Sequence, residues 1–274
     1  MITFTDVSKS YGPTRVLGPV SGAIPAGGIT SIIGPNGAGK STLLTIMGRL
    51  LEPTTGTVTV GGLDVATTPS KSLATCLAIL RQENHLTARL TVRDLVGLGR
   101  YPHCGGRLRP ADRAHVDQAL RFLDLEHLAG RFLDQLSGGQ RQRAFVALVL
   151  AQDTDYILLD EPLNNLDMRH SVEMMRQVRR AADEMGRTVV MVVHDLNFAA
   201  AYSDRIMAMR DGQIVGFGPT AEMMDEHLLS DVFGTTIRIR EVDGQKTAIL
   251  PLAPCTDATL PSAAPLALAE PVAC

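Results

Sequence analysis

Residues Gly28 to Thr42 read GITSIIGPNGAGKST, and they leave the chain little choice of local structure. A short apolar run, Ile29 to Ile33, breaks into a turn carrying Gly34, Gly37 and Gly39. It then passes through Lys40, Ser41 and Thr42 into the helix-forming Leu43 to Met47. Strand, glycine-rich loop and helix with the spacing GxxxxGK[ST] make a phosphate-binding loop. Glycines let the backbone turn its N–H groups inward around an anion, in conformations that a side chain forbids. The helix opening near Lys40 adds the positive end of its dipole. Gly34, Pro35, Asn36, Gly37, Ala38 and Gly39 are thereby expected to wrap a nucleoside triphosphate, continuing into Lys40, Ser41 and Thr42. Lys40 is expected to reach the β- and γ-phosphates, and the Ser41 hydroxyl to ligate Mg²⁺.

Around this loop the pattern alternates. Ile2 to Val7 and Arg15 to Val20 read as paired strands about Gly12-Pro13, and Gly56 to Val60 as a further strand. Together they predict a small antiparallel layer. Leu77 to Leu80 is another short strand, ending at Arg81-Gln82. From 83 to about 150 the texture is helical. Thr91 and Asp94 form a capping-box start to a helix through Leu98, and Ala111 to Leu123 places Ala114, Val116, Leu120 and Leu123 at helical spacing. Gly139 to Ala151 reads as a helix, Tyr156 to Asp160 as a buried strand, and Met168 to Glu184 as a helix. Thr188 to Val193 and Leu196 to Ser203 then read as a strand and a helix. Such alternation implies right-handed crossovers and a mainly parallel sheet. Asp211-Gly212 and Asp243-Gly244 mark two hairpin turns. The fold class is therefore α/β: a P-loop NTPase core with a mainly parallel sheet, a small antiparallel β layer and a helical insertion subdomain. The main domain is expected over 1–250, with a Pro/Ala-rich, disordered tail over 251–274.

Three further groups carry chemistry. Tyr156 to Asp160 ends in two adjacent carboxylates, Asp160 and Glu161, which at a strand end beside the P-loop would face the phosphates. Asp160 is expected to hold the metal through water, and Glu161 to activate the attacking water as general base. Leu136-Ser137-Gly138-Gly139-Gln140 opens a helix with two glycines and a serine. It reads either as a second anion site or as a plain N-cap by Ser137. His194 follows a buried strand, where it is either a packing residue or a ligand at the carboxyl end of the sheet.

GPNGAGKST, Gln82, LSGGQ, YILLDE, NNLD and His194, in this order, resemble the nucleotide-binding subunit of an ATP-binding cassette transporter. The likeness runs from Met1 to about Leu250. It implies ATP and Mg²⁺ as cofactors, with Ser41, Gln82 and Asp160 at the metal and Glu161, His194 and Gln82 at the reacting centre. Tyr11 would stack on adenine, and Ser137, Gly138 and Gly139 would bind the γ-phosphate held by the opposite subunit. Asn164, Asn165, Leu166 and Asp167 would form the loop that crosses the dimer interface. Leu163 and Asn165 depart from the Thr and Ala common there. The segments GRYPHCGGRL and AQDTDYILLDEPLNNLDMRHS resemble the iron–siderophore import group, particularly for catecholate-type complexes. In that group Tyr101 and Leu98 would meet a coupling helix of the membrane subunit. The residues alone leave haem or cobalamin-type import, or a soluble cassette ATPase of iron–sulfur assembly, as other readings.

The formal charge of −3 over 274 residues gives no basic field for nucleic acid. No apolar run approaches the roughly 20 residues of a membrane span, and Met1 to Gly12 shows no signal architecture. Cys76, Cys104, Cys255 and Cys274 have neither CxxC nor metal spacing, in keeping with a reducing compartment. The expected assembly is a homodimer on two membrane-spanning permease subunits at the cytoplasmic face of the membrane. It would be served by an extracytoplasmic siderophore-binding lipoprotein or periplasmic protein.

Overall fold

The computed structural model describes residues 1–82, 88–164 and 166–250; the tail expected at 251–274, with Cys255 and Cys274, lies outside them, as do residues 83–87 and Asn165. β1 (Ile2–Tyr11) and β2 (Thr14–Ile24) turn back at Gly12-Pro13 and pair antiparallel. β3 (Gly28–Ile33) and α1 (Lys40–Met47) flank the glycine loop. β4 (Thr55–Val60) and the two-residue β5 (Leu63–Asp64) then return to the other edge of β1. The result is a four-stranded antiparallel sheet in the order β2-β1-β4-β5.

α2 (Ser70–Ala74) leads into β6 (Leu77–Leu80). The helical segment follows, with α3 (Val92–Leu98), α4 (Tyr101–Cys104), α5 (Pro110–Phe122) and α6 (Gly138–Ala151). At α3 the capping box forms as the sequence dictates: the Thr91 hydroxyl accepts the Asp94 N–H at 3.1 Å, and the Asp94 carboxylate accepts the Thr91 N–H at 3.2 Å. On α5 the expected inward face is corrected at one position. Ala114 is exposed, while Asp112, Val116, Ala119 and Leu120 turn inward. Asp112 takes an inward place because Arg100, also buried, pairs with it at 3.2 Å and donates to the Ala151 carbonyl at 2.9 Å. A buried charge is tolerable only when so partnered.

The chain continues through β7 (Tyr156–Asp160), α7 (Met168–Met185), β8 (Thr188–Val192) and α8 (Leu196–Tyr202). A hairpin of β9 (Arg205–Arg210) and β10 (Gln213–Pro219), then α9 (Thr220–Met223) and α10 (Glu226–Phe233), lead to a second hairpin, β11 (Arg238–Val242) and β12 (Gln245–Ile249). Both hairpins turn at the Asp-Gly pairs. The main sheet runs β10-β9-β3-β8-β7-β6, parallel throughout except for β10 at its edge.

Because side chains alternate along a strand, β7 and β8 feed two cores. Ile157, Leu159, Val189 and Met191 pack with the helical segment and α7. Leu158, Val190 and Val192 pack on the other face with α1 and the antiparallel sheet. A third cluster joins Ile33 and Ala208 to α8 and α10. Among the described residues no helix is long and apolar enough to cross a membrane.

Candidate nucleotide site

Four parallel strands, β3, β6, β7 and β8, end on the same side, and the segments leaving them enclose a cavity of about 680 Å³. Its lining comprises residues 36–42 together with Val16, Gln82, Glu161, Asn164 and His194. This is where an open α/β sheet presents its ligand site.

The glycine loop holds its shape for a steric reason. Gly34 has φ 146°, and a Cβ there would run into the Met209 carbonyl oxygen of β9, so only glycine lets loop and strand approach. Gly39, at φ 91°, turns the chain into α1. Lys40 is 5% exposed, and its Nζ donates to the Gly34 and Pro35 carbonyls at 2.8 and 2.9 Å. Burial lowers its pKa, opposed by the nearby charges of Glu161 and Asp160.

Ser41 Oγ donates to Asp160 Oδ1 at 2.8 Å, across 119 residues of sequence. Burial pushes the Asp160 carboxyl upward, and this hydroxyl works against that rise. One residue on, Glu161 has φ 50°, in the left-handed region. Its carboxylate accepts Gln82 Nε2 at 2.7 Å on one oxygen and lies 2.6 Å from His194 Nε2 on the other. Asp195 fixes the chain after His194 by capping α8, accepting the N–H groups of Asn197 and Phe198 at 2.7 and 3.2 Å.

Most of the remaining expected residues lie away from this lining. Ser137 caps α6 reciprocally with Gln140, at 3.3 and 3.1 Å; Ser137 and Gly138 face solvent and Gly139 is buried. Leu136 packs at the margin of the core that holds the helical segment. Asn164 lines the cavity, Leu166 packs on that same core and Asp167 caps α7. Tyr11 is 56% exposed at the end of β1, with Lys9 Nζ 5.3 Å from its ring centre. Val16 is the lining residue that sequence reasoning missed. It reaches the loop because β2 lies against Gly39, where a Cβ would stand 3.0 Å from the Val16 carbonyl oxygen. No local pattern signals a contact made only by tertiary packing.

Residues 17–164 match the model of the ABC transporter family, more than half of the chain. The chain belongs to that family. The petrobactin import ATP-binding protein FatE of Bacillus anthracis is 56% identical over 239 residues, covering 87% of this chain and 96% of that one. The petrobactin import ATP-binding protein YclP of Bacillus subtilis (strain 168) is 50% identical over 249 residues, covering 91% and 99%. Among solved structures, the ATP-binding cassette MJ0796, dimeric in a post-hydrolysis state with ADP and Pi, is 31% identical with a TM-score of 0.72. That likeness covers 80% of this chain and 99% of the other. As an ABC family member the chain is an ATPase, built on the α/β cassette fold described above.

Proposed function

We propose that the chain is the ATP-hydrolysing subunit of a ferric siderophore importer, acting as a homodimer beneath two membrane-spanning subunits at the cytoplasmic face. The observation that carries the hydrolytic half is the Glu161 carboxylate, held at once by Gln82 and His194 at the mouth of the loop cavity. The import half draws its support from the relatives, whose names assign them to petrobactin import. The cassette body would extend to residue 250, with the helical insertion at about 83–150.

The backbone N–H groups of the loop receive the triphosphate, and Lys40 exchanges its carbonyl partners for the β- and γ-phosphate oxygens. Tyr11 stacks on the adenine. Ser41 and Asp160 present hard oxygen donors 2.8 Å apart, and the Gln82 amide oxygen would join them in a set that suits Mg²⁺. That ion, when bound, neutralises charge across the phosphates. Glu161 accepts a proton from water as its oxygen attacks the γ-phosphorus and the bond to the β-bridging oxygen breaks. His194 turns its Nε2 from Glu161 to the γ-phosphate, as Lys40 leaves its carbonyls, and steadies the charge that develops there.

A second copy completes each site. Its exposed Ser137 and Gly138, on the opening turn of α6, supply donors to the γ-phosphate, and its residues around Asp167 cross between the two nucleotides. Closure of the pair is then tied to ATP, and opening to its hydrolysis. Leu98 and Tyr101, 49% and 63% exposed, edge a groove of about 410 Å³ in the helical segment, and there the membrane subunit would seat an apolar helix. The deciding experiment is uptake of a panel of purified ferric siderophores, petrobactin included, by a deletion strain. Restoration by the wild-type chain and not by Glu161→Gln is expected. Unimpaired uptake in the deletion strain, or uptake of haem or a cobalamin alone, would overturn the reading.

A further inference from the structure

His170 stands in the first turn of α7, where its neighbours on two elements meet. Asp167 Oδ1 accepts the His170 backbone N–H at 2.8 Å, which is the ordinary cap of a helix, and lies 2.8 Å from His170 Nδ1 as well. The backbone bond alone would cap the helix with any residue at 170, so the ring's bond is an addition. That backbone bond, with the ring's help, holds the Asp167 carboxyl below its usual range. An ionised carboxylate only accepts, so Nδ1 carries the proton.

The ring also lies against Gly139, in the opening turn of α6. A Cβ at Gly139 would stand 2.9 Å from both Cγ and Cδ2 of His170, closer than carbon atoms approach. Glycine at 139 is therefore what admits the imidazole to the backbone of α6. Close by, Gln142 Nε2 donates to the Pro162 carbonyl at 3.1 Å, fastening α6 again to the chain that leaves β7.

We propose that His170 is a positioning residue that locks the turn at Ser137 and Gly138 to the chain at Asp167, so that the two parts offered to a twin's nucleotide move as one body. The inference rests on the composite-site reading above. Without the ring, α6 and the start of α7 keep their own caps and lose their register to each other. The cost falls on dimer closure, while the subunit's own phosphate loop keeps its grip on ATP.

The test uses the full chain carrying Glu161→Gln, with sedimentation across ATP and protein concentrations to give the dimer dissociation constant. ATP affinity is measured separately, with labelled ATP, at concentrations where the chain is monomeric. Adding His170→Ala is expected to raise the dimer constant at least tenfold and to leave monomer affinity within twofold. In a cycle with Gly139→Ala, the two losses are expected to be non-additive, because the methyl no longer collides once the ring is gone. Ser137→Ala, run in parallel, separates the two ideas. If it fails to weaken the dimer, or if no ATP-dependent dimer forms in the parent, the composite-site reading falls. If it weakens the dimer while His170→Ala matches the parent, or if His170→Ala costs monomer affinity equally, the role assigned to His170 falls alone. Additive losses in the cycle would also count against it.

Discussion

Each oxygen of the Glu161 carboxylate holds a different partner, Gln82 on one side and His194 on the other, while the backbone at this residue sits at φ 50°. A non-glycine residue in that region carries strain of about 1–3 kcal/mol, which the fixed partners offset. Glu161→Gln retains the shape and removes the proposed proton acceptor. Steady-state turnover is expected to collapse while ATP binding persists, and size-exclusion chromatography should show an ATP-bound dimer accumulating. Only monomer with ATP bound would count against this. Ser41 has a different duty, as the hydroxyl partner of a buried carboxylate. Ser41→Ala leaves Asp160 without that donor and takes one oxygen from the proposed Mg²⁺ ligand set. A loss of one such group from a reacting centre costs about 10²–10³ in turnover, measurable by phosphate release. Near-normal turnover would remove Ser41 from the site.

Asp204 joins three elements. Its carboxylate accepts the Ile29 N–H of β3 at 2.7 Å and Arg179 Nη1 of α7 at 2.8 Å, just before β9 begins. Burial alone would raise its pKa, but the Arg179 and Ile29 bonds outweigh it and hold the group below the usual carboxylate range. A folded-state pKa below the unfolded value, about 3.9 for Asp, gives stability that is present above that value. It is lost as pH falls through the folded pKa. Asp204→Asn should thus lower the melting temperature at neutral pH, and the gap to wild type should close in strong acid. A gap constant from pH 7 to pH 2 would contradict the assignment. The elements themselves were largely legible in sequence, because their signals are local. Thr91 and Asp94 announce α3 three residues apart, Asp-Gly pairs mark both hairpins, and the unbroken apolar run of Tyr156 to Leu159 marks a strand buried on both faces. Contacts across long separations were not. Asp112 has a local role, accepting the Arg109 N–H at 3.0 Å as the third residue of α5, but neither its pairing with Arg100 nor the approach of Val16 to the loop has a local trace. The hydrogen bond between Gln82 and Glu161 spans 79 residues; the family resemblance put both at the reacting centre without implying that contact, and periodicity is blind to it.

At the scale of the whole molecule, the groove edged by Leu98 and Tyr101 lies on the helical segment, away from the lining of the loop cavity. A chain carrying Leu98→Glu and Tyr101→Ala is expected to keep the ATPase rate of the free subunit within twofold and to lose at least tenfold in siderophore uptake. Uptake at the wild-type rate would show that the membrane subunit seats elsewhere. β7 is buried on both faces, with Ile157 and Leu159 in one core and Tyr156 and Leu158 in the other. Truncating Leu158 or Leu159 to alanine should cost about 2–5 kcal/mol in either case, read as a shift of the urea midpoint. The carboxylates at the tip of that strand are guyed from both sides, like a mast. Slack on either stay would let the tip lean, so under the proposed function residues with no view of the nucleotide would still govern how accurately its bond is cut.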